Sequence, residues 1–572
     1  MKHSKIPVAQ SIVSLCLSKG ITQVVISPGS RNAPLTIEFT KNPTIKSYSI
    51  VDERCAAFFG LGIAQQTRKP VALVCTSGSA LLNYYPAIAE AFYSDIPLVV
   101  ISADRPVERI DIGDGQTIRQ KNVFENHIMY SANLYSEIVP VETITDKHLL
   151  QKIVESRRHN EQEINKALNM AIEHNGPVHI NVPFYEPLYE MIEEKTVTPI
   201  DIAPRPIEQE ITEEELQPFI DIWNATPRKM VLVGVNPPGV LEQEIIAWLG
   251  TDPSVIVFTE TTSNMEHPHF FTRIDNMIGS LDDEGFKQLQ PDILLTFGGM
   301  VISKKIKAFL RTYQPKHHWH IDAKKAYDTY FCLNKHFEIE PNAFFSKMML
   351  RVSQGKSDYK LYWLGIRAKR DQLHTSYIEQ MPWCDFKAFD HILSSIPDHS
   401  MLQIGNSSAV RYAQLFDINK TLQVYCNRGT SGIDGSTSTA IGAAVATELP
   451  TTFITGDLSF FYDSNALWNA YIPQDFKIIV INNSGGGIFR ILPNRDKNTD
   501  NFDTFFETTH QLTAKQLCAM YGVKYLTANN EEECVLAKEA LYASNSQPTL
   551  LEIFTPRKIN DEVLLNYFKH IK

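Results

Sequence analysis

Residues 451–489 read TTFITGDLSFFYDSNALWNAYIPQDFKIIVINNSGGGIF. Two short apolar strands, TTFIT and KIIVI, flank a segment long enough for a helix. The first ends in Gly456-Asp457-Leu458-Ser459 and the second in Asn482-Asn483-Ser484-Gly485-Gly486-Gly487. Strands joined by helical crossovers belong to a parallel sheet covered on both faces. Ligands of such sheets bind beyond the carboxyl ends of the strands. Asp457 and Asn482, 25 residues apart, fall at two successive strand ends and can point at one ion. A carboxylate, an amide oxygen and a loop carbonyl are hard ligands suited to Mg²⁺, which keeps positions for phosphate oxygens. The glycines let backbone approach a diphosphate closely. Read singly, GD and NN are ordinary turn residues after strands; together, at this spacing, they favour the ligand reading.

The same strand grammar runs through the chain in three sets. The first is TQVVISPG (22–29), KSYSIVD (46–52), VALVCTSG (71–78), LVVISAD (98–104) and VHINVP (178–183). The second is MVLVGVNPPG (230–239), VIVFTE (255–260), ILLTFGG (293–299) and HHWHID (317–322). The third is MLQIGN (401–406), LQVYCNRG (422–429), TTFITGD (451–457), FKIIVINNSGG (476–486) and TLLEIFT (549–555). The Glu- and Pro-rich run EPLYEMIEEKTVTPIDIAPRPIEQEITEEEL reads as a linker, and 340–385 as charged helix. The expected fold is α/β, with three doubly wound parallel-sheet domains at 1–185, 205–345 and 375–572.

A chain of 572 residues is too long for one core, and three domains suits it. A composition 43% hydrophobic and 21% charged is that of an ordinary soluble globular protein. The net charge of −11 is spread along the chain, which argues against nucleic acid and anionic membrane as partners. The eight cysteines form no CxxC and sit mostly in apolar runs, as reduced core cysteines of a cytoplasmic protein do. No apolar run reaches the ~18 residues that span a bilayer. IVSLCL near the start lacks a small-residue cleavage site and reads as the first helix of the mature domain.

Other unusual residues gather at strand ends. IVDERCAAFFGLGI (50–63) puts Glu53 at the mouth of a helix rich in small residues (Ala56, Ala57, Gly60, Gly62). SPGSRNAPL (27–35) follows a strand and opens a helix, adding Ser30 and Arg31 to free backbone N–H groups. SADRP supplies Arg105 and DGQTIRQKN supplies Gln116. GNSSAVR supplies Ser407 and Arg411, and NRGTSGIDG supplies Arg428 and Ile433. Singly, each arginine is an ordinary surface cation. Jointly, four arginines and two serines suit a site for several carboxylates, since the guanidinium fork binds both oxygens. Lys304 and Lys305 follow ILLTFGG, where a lysine pair is ordinarily a solvated helix start.

The pairing of Asp457 with Asn482-Asn483 resembles the thiamine diphosphate motif, GDG followed about 26 residues later by NN, with Leu458 in place of the third glycine. GDLS with NNSGGGIF, SPGSR, ADRP, GNSxxxR and NRGxSGIDG are together similar to the 2-succinyl-5-enolpyruvyl-6-hydroxy-3-cyclohexene-1-carboxylate synthase family of menaquinone biosynthesis. The resemblance covers all three domains. It implies a pyrimidine-binding first domain, a central domain and a diphosphate-binding third domain. It implies thiamine diphosphate and Mg²⁺ (or Mn²⁺) as cofactors, with Asp457, Asn483 and Gly485 at the metal. Gly456, Leu458, Ser459, Ser407, Arg428 and Ser431 would lie along the cofactor. Ile433 would hold its bent form, and Ile488 and Phe489 would pack by the reaction centre. Glu53 would hydrogen-bond the aminopyrimidine of a partner chain's cofactor, which implies at least a homodimer and leaves a homotetramer open. A carboxyl among apolar groups is raised in pKa and exchanges a proton readily with a ring nitrogen; read alone, Glu53 is equally a helix N-terminal residue favoured by the macrodipole.

The implied reaction is decarboxylation of 2-oxoglutarate and addition of the succinyl unit to the conjugated alkene of isochorismate. Between them these substrates carry four carboxylates, and Ser30, Arg31, Arg105, Gln116 and Arg411, with Lys304, would contact them. A rival is another thiamine-dependent carboligase or decarboxylase, such as an acetolactate synthase, which lacks the SPGSR and GNSxxxR arginines. A non-catalytic thiamine-fold binder would not need Glu53, Asp457 and Asn483 together. GVNPPG lacks the G-x-G-x-x-G order of a nucleotide-binding dehydrogenase. HHWH reads as a strand rather than a metal site.

Overall fold

The computed structural model describes residues 2–137, 146–205, 210–491, 497, 499–543 and 546–572. Its sheets are built from strands in three runs. A short ribbon pairs β1 (His3–Ser4) with β8 (Met191–Ile192). Between them come β2 (Gln23–Ile26), β3 (Lys46–Ser49), β4 (Val71–Cys75), β5 (Leu98–Asp104), β6 (Tyr130–Asn133) and β7 (Val178–Pro183), ordered β3-β2-β4-β5-β7-β6. The second sheet takes β9 (Lys229–Val233), β10 (Val255–Phe258), β11 (Ile293–Phe297), β12 (His317–Ile321) and β13 (Leu333–Phe337), ordered β10-β9-β11-β12-β13. The third takes β14 (Met401–Ile404), β15 (Gln423–Tyr425), β16 (Thr451–Gly456), β17 (Lys477–Asn482), β18 (Lys524–Ala528) and β19 (Thr549–Phe554), ordered β15-β14-β16-β17-β19-β18. Every pairing within these three sheets is parallel. The fold is therefore α/β with three parallel-sheet domains, as the sequence led us to expect.

Central strands such as VALVC and KIIVIN are buried along their whole length, as strands covered on both faces must be. HHWH forms β12, where His318 and His320 both meet the Thr296 hydroxyl, at 3.0 and 2.8 Å. The segment read as a linker is partly strapped to the first domain. It carries β8, and its Asp201 pairs with Lys19 at 2.8 Å. Its residues 206–209 lie outside the described ones.

The chain divides into two compact units. One is Met1–Ile207 with Gly429–Glu448 and Tyr462–Pro473; the other is Glu208–Arg428 with Leu449–Phe461 and Gln474–Lys572. In the first, the helix Glu53–Thr67 lies directly on the helix Ser436–Ala446. Small residues permit this contact. A Cβ on Gly62 would stand 2.1 Å from the Thr439 carbonyl oxygen, and one on Gly442 would stand 2.0 Å from that of Phe59. Gly62 thus serves a backbone-to-backbone helix contact, while Gly60 lies against the sheet, where a Cβ would stand 2.4 Å from the Leu73 side chain.

Candidate active site

In the second unit, β16 and β17 run side by side, and their ends bring the GDLS and NNSGGG loops together. Asp457 is buried. Its Oδ1 accepts from Leu458 N at 2.6 Å and its Oδ2 from Gly485 N at 3.0 Å. His510 Nε2 lies 3.2 Å from the same Oδ2. The two asparagines have different partners. Asn482 donates to Glu552 Oε1 at 2.7 Å and to Leu512 O at 3.0 Å, and its own oxygen accepts from Ser484 N at 3.1 Å. Asn483 donates its Nδ2 to Asp385 Oδ2 at 2.8 Å. Asp385 is itself buried and accepts from the Thr555 hydroxyl at 2.6 Å; burial pushes its carboxyl up to about 6. With its amide hydrogens turned to Asp385, Asn483 has its oxygen to offer elsewhere. Nothing about the WCDF motif marked Asp385 in sequence, because its role depends on a contact 98 residues away.

The glycine loop is fixed from behind. Gly486 N donates to Glu507 O at 2.6 Å, and a Cβ on Gly485, where φ is 150°, would stand 2.7 Å from that same oxygen. Glu507 is fully buried and takes Arg490 Nε at 2.6 Å. A Cβ on Gly456, by contrast, would meet nothing within 4 Å. Phe489 lies over Gly486, and Ile488 is half-buried beside it. Open space over Gly456 and hard oxygen donors on Asp457, Asn483 and the Gly485 carbonyl fit a divalent cation and a diphosphate.

At the end of β14, Asn406 ties the next loop together. It donates to Asn427 O at 2.6 Å and accepts from Arg428 Nη1 at 2.7 Å. Ser407 takes φ of 68°, and its carbonyl accepts from Arg411 Nη1 at 2.6 Å. Burial first, and then Arg428, lower the pKa of Arg411. Glu260 stands among the same charges, accepting from Ile302 N at 2.7 Å and Ser303 N at 2.8 Å. Burial raises its carboxyl to about 7, against those N–H groups and Arg428. Lys304 is exposed, and Lys305 lies 2.9 Å from the Phe568 ring centre. It is Lys307, one turn on, whose charge couples to Glu260, Arg428 and Arg411. A separate cavity of about 630 Å³ in this unit touches Glu260, but its arginines are engaged. Arg273 pairs with Asp371 and Asp417, while Arg367 and Arg370 bond backbone carbonyls.

In the first unit, Glu53 opens its helix after the N-cap Asp52. Burial raises its pKa most; its own backbone N–H opposes this, Asp52 adds to it, and the Asn83 side chain also opposes it. Thr76 and Ser77, after β4, have buried hydroxyls with no protein partner. Gly29 of SPGSR lies against Thr76, where a Cβ would stand 2.4 Å away. Arg31 is buried, donating to Phe184 O at 3.1 Å and to Glu186 Oε1 at 3.0 Å, while its Nε has no partner. Ser30 is exposed beside it. Arg105 donates to Gly115 O at 2.9 Å, and its Nε also lacks a partner. Gln116 takes φ of 55° and its backbone crosses Gly78. Gln120, missed in the sequence, is fully buried; it accepts from Gly78 N at 2.8 Å and donates to Asn181 at 2.9 Å. Ser431, with φ of 61°, and Ile433, 37% exposed, belong to this unit through the 429–448 segment.

Comparison with known proteins places the chain in a family. Residues 6–131 match the thiamine pyrophosphate enzyme N-terminal TPP binding domain, and 403–553 match the C-terminal one. The chain is a thiamine diphosphate enzyme by its fold and its two binding domains. It is 62% identical to the 2-succinyl-5-enolpyruvyl-6-hydroxy-3-cyclohexene-1-carboxylate synthase of Christiangramia forsetii over the full length of both chains. It is 54% identical to that of Flavobacterium psychrophilum, again over both full lengths, and 37% to that of Porphyromonas gingivalis over 98% of this chain and 96% of that one. The chain belongs to the 2-succinyl-5-enolpyruvyl-6-hydroxy-3-cyclohexene-1-carboxylate synthase family.

Proposed function

We propose that the chain decarboxylates 2-oxoglutarate and adds the succinyl unit to isochorismate, giving 2-succinyl-5-enolpyruvyl-6-hydroxy-3-cyclohexene-1-carboxylate and CO₂ for menaquinone biosynthesis. One arrangement carries the reading: Asp457 and Asn483 at neighbouring strand ends, with the Asn483 amide turned by Asp385. Asp457, Asn483 and the Gly485 carbonyl would hold Mg²⁺ or Mn²⁺, and Gly456, Leu458, Ser459, Ser407 and Arg428 the diphosphate side. Bound thiamine diphosphate supplies a nucleophilic carbon and a sink for the electrons released with CO₂. Glu53 holds or yields a proton at the pyrimidine ring nitrogen, and a raised carboxyl pKa suits that exchange. Ile433, Ile488 and Phe489 present apolar surface and exclude water. Ser30, Arg31, Arg105, Gln116 and Arg411 would orient the carboxylates, as the unpartnered Nε atoms of Arg31 and Arg105 support. Exposed Lys304 would meet substrate only at the rim.

The domains at 1–185, 205–345 and 375–572 belong to the same proposal, each enclosing one of the three parallel sheets. So does self-association, with Glu53 serving a second copy. Val51, Leu82, Tyr462 and Trp468 of the first unit are exposed apolar groups. Tyr462 lies under Arg54, the neighbour of Glu53. A cytoplasmic location fits eight unbridged cysteines, and among the described residues no helix is long and apolar enough to cross a membrane.

The test is mass spectrometry of products from protein, thiamine diphosphate, Mg²⁺, 2-oxoglutarate and isochorismate, with pyruvate in a parallel tube. The adduct should form with 2-oxoglutarate only and vanish in Glu53→Gln. Equal use of pyruvate would sink the substrate assignment, because arginines built for a second carboxylate reject a substrate lacking it.

A further inference from the structure

Glu90 lies on the helix Tyr85–Ser94 and is 2% exposed. Its Oε1 accepts from Gly429 N at 2.7 Å and from the Ser94 hydroxyl at 2.8 Å. Its Oε2 accepts from Thr430 N at 2.7 Å and the Thr430 hydroxyl at 2.9 Å. All four donors are neutral. A carboxylate is costly to bury, and donors converging on both oxygens are what make it tolerable. Three of the four belong to the start of a single loop. The far end of that loop is fixed too: Gly435 has φ of 66°, and a Cβ there would stand 2.1 Å from the Phe58 ring. Between the two anchors stand Ser431 and Ile433.

We propose that Glu90 is a positioning residue for the cofactor. By clamping Gly429 and Thr430 it holds the loop that presents Ile433 to thiamine diphosphate. This deepens the function proposed above and rests on it. The N-terminal domain then fixes a cofactor contact that the sequence assigns to the third domain. An acid is needed at this position because only a carboxylate offers acceptors on both oxygens. In Glu90→Gln, the amide NH₂ must face an N–H donor of the loop.

The experiment follows hydrogen–deuterium exchange at C2 of bound thiamine diphosphate by acid quench and NMR, together with thiamine diphosphate affinity by fluorescence quenching. Wild type, Glu90→Gln, Thr430→Val and Glu53→Gln are compared, each checked for thermal unfolding. Glu90→Gln should slow C2 exchange by about tenfold or more while keeping its unfolding temperature. Thr430→Val, which removes one donor, should slow it less. Wild-type exchange and affinity in both variants would overturn the clamp. Should Glu90→Gln not fold, Thr430→Val decides alone, with wild-type exchange counting against the proposal. Loss of exchange in Glu53→Gln supports the thiamine reading whatever Glu90 does. A wild-type chain that binds no thiamine diphosphate would overturn both.

Discussion

Two neighbouring asparagines at the end of β17 have opposite duties. Asn482 is consumed by Glu552, Leu512 and Ser484, while Asn483 is aimed by Asp385. The NN pair was legible in the sequence, and so were Asp457 and the glycines. The division of labour was not, because it is decided by two carboxylates remote in the chain. Removing one aims the test. In Asp385→Ala the Asn483 amide loses the acceptor that orients it, and Mg²⁺ affinity should fall about 10- to 100-fold. Titrating Mg²⁺ against protein fluorescence with thiamine diphosphate present measures this. Glu53 gives a prediction in pH. Burial raises its carboxyl above the ordinary 4.5, so the folded chain holds a proton that the unfolded chain has released. That contribution to stability is full below the ordinary pKa and is lost as pH rises through the folded one. Glu53→Gln should therefore unfold at a higher temperature than wild type near pH 8, and the advantage should vanish near pH 4.

The elements were legible in proportion to their burial. Central strands stood out as apolar runs. Each of the three parallel sheets also has one strand that the pattern did not reveal, YSAN (β6), LNKHF (β13) and KYLTA (β18), and the short β1–β8 ribbon was not revealed at all. All three lie at a sheet edge, with partly exposed residues among them. An edge strand covered less completely needs fewer apolar residues, so periodicity fades there. The small residues after Glu53 announced close packing, but their partner helix lies some 380 residues further on. The contact makes a sharp prediction. Gly442→Ala would drive a Cβ to 2.0 Å from the Phe59 carbonyl oxygen and should cost about 1–3 kcal/mol or more. Gly365→Ala is the control. It sits inside the helix Tyr359–Gln380 with nothing near its Cβ, and should stabilise by roughly 0.5–1 kcal/mol. Thermal melts of the two variants should move in opposite directions.

For the whole molecule, the three-sheet architecture could be read from strand grammar alone. The way the chain distributes itself between compact units could not, since 429–448 and 462–473 join the N-terminal unit through contacts no local pattern encodes. The proposal that two copies share an active site makes a prediction at this scale. Glu53→Gln and Asp457→Ala should each be inactive, yet mixing them under conditions that exchange subunits should restore product, because one mixed site regains both groups. Product absent from the mixture, with exchange verified by mass photometry, would place both residues in one chain's site.

The excursion of 429–448 also bears on how the protein is made. Ribosomal synthesis is vectorial, so the N-terminal unit emerges first, yet its glycine-lined helix must wait for Ser436–Ala446 and for Tyr462–Pro473. The part translated earliest is completed late, and until then it carries a bare apolar stripe. Expression of residues 1–207 alone should give aggregates, whereas the same segment fused by flexible linkers to 429–448 and 462–473, with 449–461 left out, should stay in solution.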